Sequence, residues 1–84
     1  MTYSCIIVDD EPLAQDVLES YVEKFPGLEL VGKCHNAYEA MEVIKAKKVD
    51  IVFLDIQMPG ISGLEFMRTL HNPPAVIFTT AHAE

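Results

Sequence analysis

Acidic residues stand at the ends of two apolar runs in this chain, where carboxylates could hold a hard cation and serve phosphoryl chemistry. Cys5-Ile6-Ile7-Val8 runs into Asp9-Asp10-Glu11, and Ile51-Val52-Phe53-Leu54 runs into Asp55, followed by Ile56-Gln57-Met58-Pro59-Gly60. Short apolar runs closed by turn residues read as parallel strands buried on both faces. Carboxylates at the carboxyl ends of two such strands converge in one crevice. Like charges gathered there disfavour joint ionisation, and a divalent cation removes that cost. Magnesium takes oxygen ligands, commonly one or two carboxylates together with waters and phosphate oxygens. A carboxylate in such a site can attack a phosphodonor and become an aspartyl phosphate. The protein then needs only to place the nucleophile in line and neutralise oxygen charge.

The elements that must position these acids alternate along the chain. The first strand covers about Tyr3 to Val8. Pro12, tolerated at the first helical position, opens a helix in which Leu13, Ala14, Val17, Leu18, Tyr21 and Val22 form the expected buried face, while Asp16, Glu19, Glu23 and Lys24 face away. Pro26-Gly27 stops it. Leu28 to Cys34 alternates, with Leu28, Leu30 and Cys34 on one face and Glu29 and Lys33 on the other, as suits an edge strand. Asn36 caps a second helix whose inward residues are Ala37, Ala40, Met41 and Ile44. After the strand Ile51 to Leu54, Ser62 caps a third helix with Leu64, Met67 and Leu70 inward, and Asn72-Pro73-Pro74 breaks it. Ala75 to Phe78 is a fourth strand, ending in Thr79-Thr80-Ala81-His82. The pattern βαβαβαβ implies an α/β fold, a parallel sheet with helices on both faces. If the second strand lies outside the first and the third returns to the first's other side, the order is 2-1-3-4. The reversal between strands one and three is where open α/β sheets bind ligands, and where Asp9, Asp10 and Asp55 gather.

With 84 residues, half of them apolar, the chain is one domain at most and too apolar for disorder. No apolar stretch approaches the ~18 residues of a membrane span, and Met1-Thr2-Tyr3-Ser4 lacks the marks of a signal peptide, which points to the cytoplasm. A formal net charge of −7 argues against nucleic acid as a direct partner. Lys45, Lys47 and Lys48 read as the last turn of a helix. Cys5 and Cys34 have no metal or redox spacing and read as reduced and structural. His35, His71 and His82 read as exposed, and Met41, Met58 and Met67 as packing residues.

Taken together, Asp9-Asp10-Glu11, Asp55 through Gly63 and Thr80-Ala81 resemble the receiver domain of two-component response regulators. The wording Val76-Ile77-Phe78-Thr79-Thr80-Ala81 looks most like receivers that precede a LytTR-type DNA-binding domain. The resemblance implies a flavodoxin-like fold. It makes Asp55 the phosphoacceptor and Asp10 a direct Mg2+ ligand, with Asp9 contributing directly or through water. Gln57 would offer its backbone carbonyl to the metal. Thr80 would donate its hydroxyl to a phosphoryl oxygen, Ala81 would leave room for the entering group, and Pro59 and Gly60 would shape the loop. The phosphodonor partner so implied is a sensor histidine kinase. The chain would then be a signalling module in a phosphorelay rather than an enzyme, with at most weak self-phosphorylation and self-dephosphorylation.

The resemblance also implies a departure. Residues 1–84 correspond to the N-terminal part of a receiver, ending before a further helix, strand and helix. The strand that brings a phosphoryl-pairing lysine is not among them. Strand four then presents an uncharged edge and one sheet face lies bare, so self-association through either is expected. Two alternatives stand beside this reading. One is an aspartate-nucleophile phosphatase of the haloacid-dehalogenase kind, which wants a second acid where Gln57 stands. The other is an oligomerising fragment without phosphotransfer.

Overall fold

The computed structural model of the protein describes residues 1–56, 65, 68 and 70–79. They form β1 (Tyr3–Val8), α1 (Pro12–Val22), β2 (Leu28–Cys34), α2 (Ala37–Ala46), β3 (Ile51–Asp55) and β4 (Ala75–Thr79). The strands pair in parallel in the order β2-β1-β3-β4, as the alternation of patterns implies. Most of the helix expected after Ser62 lies outside the described residues, Leu64 and Met67 included. Glu65 and Arg68 are helical, and Leu70 packs against the core.

Local chemistry explains the element boundaries. Pro12 opens α1 without a side-chain cap from Glu11. Asn36 Oδ1 accepts the Glu39 N–H at 2.9 Å, and the Glu39 carboxylate returns to accept the His35 N–H at 2.6 Å. The first bond satisfies a donor orphaned at the start of α2, and the second ties down the residue before the cap. At the other end of the sheet, Asp50 fastens β3 to β1. Its Oδ2 accepts the Ser4 N–H at 2.9 Å, and its own N–H donates to the Ser4 carbonyl at 2.9 Å. Asn72 turns the chain into Pro73-Pro74 at φ 57°, a left-handed conformation that asparagine tolerates better than most residues.

The core lies between the sheet and α2. Ile6, Val8, Cys34, Val52 and Leu54 meet Ala37 and Ala40, with Met41, Val43 and Ile44 at its margin. Both cysteines are free and buried. Burial, and then the Glu39 charge, push the Cys34 thiol up to about 11, so it stays protonated at neutral pH.

Three expectations are corrected. β1 is buried on both faces from Cys5 to Val8, but β3 is not: Val52 and Leu54 are buried whereas Ile51 and Phe53 are half-buried. The face of β3 turned from α2 is therefore only partly covered. On α1, the expected buried face splits. Val22 and the polar Gln15 are buried, Leu18 is half-buried, and Leu13, Val17 and Tyr21 are exposed. The reason is position: α1 packs chiefly on β1 and β2, and its apolar arc is wider than that contact. On β2, the pairing slips, with Cys5 beside Leu30 but Ile6 beside Gly32 and Val8 beside Cys34. Cys5 and Val8 lie on opposite faces of β1, so Leu30 and Cys34 do not share the face that simple alternation gives them.

Candidate functional site

The register Val8 beside Leu54 brings the next residues, Asp9 and Asp55, to neighbouring strand ends at the point where strand order reverses. One side-chain oxygen from each of Asp9, Asp10 and Asp55 lies within 4.8 Å of the others. Asp9 and Asp55 are buried, at 1% and 6% exposure, and Asp10 is exposed. The cluster thus opens to solvent through Asp10 and is closed behind by the sheet.

Asp9 is held at three points. The Glu11 N–H donates to its Oδ1 at 2.9 Å, its own N–H donates to the Cys34 carbonyl at 3.0 Å, and its carbonyl accepts from Gln15 Nε2 at 2.8 Å. Burial pushes the Asp9 carboxyl above the ordinary range. The Glu11 hydrogen bond opposes this, and the charges of Asp55, Asp10 and Glu11 add to the rise. An acid raised by burial among other acids, with all-oxygen donors and an open side, fits a hard divalent cation.

Asp9, Asp10 and Asp55, which the sequence singles out, are therefore brought together. Gln57, Thr80 and Ala81, with Pro59 and Gly60, lie outside the described residues, as does His82. His35 is exposed and its Nδ1 meets Glu39 Oε1 at 3.2 Å, while His71 is exposed.

Two residues at the site escape a reading by sequence. Gln15 looks like one more polar residue of an amphipathic helix, yet it is buried against the strand ends. Thr79 stands beside Asp55 in the β3–β4 register, and its Oγ1 is buried with no hydrogen-bond partner among the described residues. A hydroxyl at the end of an apolar strand is unremarkable in sequence. No periodicity would have separated either from its neighbours.

A flavodoxin-like parallel sheet with an acidic cluster at its switch point is the class of structure that fold and site define. Residues 5–84 match the response regulator receiver domain, and the chain belongs to that family. It is 43% identical over 81 residues to the transcriptional regulatory protein BtsR of Escherichia coli K12, covering 94% of this chain and 34% of BtsR. It is 39% identical over 80 residues to the sensory transduction protein LytT of Bacillus anthracis, covering 92% of this chain and 32% of LytT. Among solved structures it is similar to the response regulator domain of Thermotoga maritima CheB. There the TM-score is 0.85 at 26% identity, over 96% of this chain and 62% of that one. The chain spans about a third of the length of the curated relatives it matches.

Proposed function

We propose that this receiver domain accepts a phosphoryl group on Asp55, with Mg2+ held by Asp9, Asp10 and Asp55 and by the backbone carbonyl of Gln57. The observation that carries the reading is the convergence of three carboxylate oxygens within 4.8 Å at the switch point. When bound, the ion would neutralise charge on the phosphoryl oxygens. In the transfer, an Asp55 carboxylate oxygen forms the new bond to phosphorus. The bond from phosphorus to the donor breaks, and its electron pair leaves with the donor: an imidazole if the donor is a phosphohistidine, a carboxylate if it is an acyl phosphate. Asp9 and the buried strand ends keep water from the rear of the site. In this reading Thr80 donates its hydroxyl to a phosphoryl oxygen, and the small Ala81 leaves room for that group.

The donor in this reading is a sensor histidine kinase in the cytoplasm, and the chain is a signalling module rather than an enzyme. Residues 1–84 supply the N-terminal part of a receiver. With a net charge of −7 they are not expected to bind nucleic acid directly. Among the described residues no helix is long and apolar enough to cross a membrane. Self-association through β4 or the half-covered sheet face is part of the same reading, supported by the exposure of Ile77 and Phe78 at 48% and 45%.

The test is labelling from acetyl phosphate and formation of a fluoroberyllate adduct. Both should occur on the 84-residue chain and vanish in Asp55→Asn. Labelling that survives Asp55→Asn would move the nucleophile elsewhere, and turnover of phosphate esters would favour the phosphatase reading.

A further inference from the structure

Gln15 is a buried polar side chain in α1, at 4% exposure. Its Nε2 donates to two main-chain carbonyls, of Asp9 and of Cys34, each at 2.8 Å. These carbonyls sit at the carboxyl ends of β1 and β2, where the parallel ladder runs out. The Cys34 carbonyl also accepts the Asp9 N–H at 3.0 Å. One amide group therefore bridges both strand ends from the first turns of α1. With the Glu11 N–H on its Oδ1, Asp9 is held at its amide, its carbonyl and its carboxylate.

We infer that Gln15 is a positioning residue for the acidic site. By fixing the main chain of Asp9 it aims that carboxylate at the point shared with Asp10 and Asp55, and so sets the affinity for a divalent cation. The inference rests on the reading that this cluster binds such a cation. Groups that orient a metal ligand without touching the metal commonly govern affinity as strongly as this. A buried glutamine needs partners in any case, so a purely structural role must be told apart from a positioning one. A structural role costs stability alone. A positioning role costs affinity beyond what an equal loss of stability explains.

Mg2+ titration of the 84-residue chain, followed through amide chemical shifts, separates the two. Gln15→Met keeps the length of the side chain and removes both donors. It should weaken Mg2+ binding about tenfold, while Val22→Ala, a buried truncation at the far end of α1, should bind as the wild type does. Unchanged affinity in Gln15→Met overturns the inference, as does an equal loss in Val22→Ala. If Gln15→Met fails to fold, the wild type decides. Its Gln15 side-chain N–H resonances should shift with the same midpoint as the Asp9 amide, and silence there overturns the positioning role. A wild type that binds no Mg2+ at all overturns the reading of the site itself, and the positioning role with it.

Discussion

The main-chain N–H of Glu11 donates to Asp9 Oδ1 at 2.9 Å, so the chain that leaves β1 folds back on the first acid of the site. This bond offsets part of the cost of burying a carboxylate beside Asp55 and Asp10, but Asp9 still lies above the ordinary carboxylate range. A carboxyl whose folded pKa exceeds its unfolded one binds its proton more tightly in the fold. Its contribution to stability is therefore lost as pH rises through the folded pKa. Asp9→Asn keeps an oxygen for the Glu11 N–H and removes the charge. Without cation at neutral pH it should stabilise the protein by on the order of 1 kcal/mol. Thermal unfolding checks this: Mg2+ should raise the melting temperature of the wild type and leave that of Asp9→Asn unmoved.

Glu39 gives the opposite pH dependence. Hydrogen bonds from the His35 N–H and ring lower its pKa. Its contribution to stability is present above the ordinary glutamate pKa and is lost as pH falls through the lowered one. Glu39→Gln should flatten this part of the acid limb in a series of melting curves, while Asn36 still caps α2. An unchanged acid limb would mean that the pairing with His35 does not form in solution.

Thr79→Val should stabilise the protein by about 1 kcal/mol, because it removes a buried hydroxyl that has no partner among the described residues, at nearly constant volume. Denaturant melts measure the change. A loss of stability would show that Oγ1 finds a partner beyond the described residues.

Association should be visible by sedimentation equilibrium at micromolar protein. Ala75 donates its N–H to the Asp50 carbonyl, and the Thr79 carbonyl accepts the Ile56 N–H. Alternation along β4 then turns the main-chain groups of Val76 and Phe78 toward the open edge. Phe78→Pro deletes one outward N–H and should abolish edge pairing. Ile77→Lys places a charge on the half-covered face and should abolish face packing instead. A compact, cooperatively unfolding monomer in the wild type would refute both routes.

The acidic site was legible because its parts are short and local. A buried run must end in a turn, and Asp9, Asp10 and Asp55 sit at such ends, so strand order alone brings them together. Asn36 was legible for the same reason, since a cap is set by residues three apart. Gln15 was not, because a polar residue in an amphipathic helix reads as solvent-facing unless its partners are known, and those partners are carbonyls. The exposure of Leu13, Val17 and Tyr21 was hidden too: periodicity shows that a helix has an apolar arc, not how much of it the sheet covers. The slip beside Cys5 leaves no mark on composition, since Val31 and Gly32 fit either register.

That slip gives the sheet unequal margins. A strand bent by a bulge, with Lys33 beside the bend, makes a poor template for an incoming strand. Among the described residues, the sheet is thus blunt at β2 and open at β4. Two copies joined at β4 would expose a β2 at each outer limit, so growth would terminate at a pair. A sheet open at both limits would have no such stop and could extend into fibres.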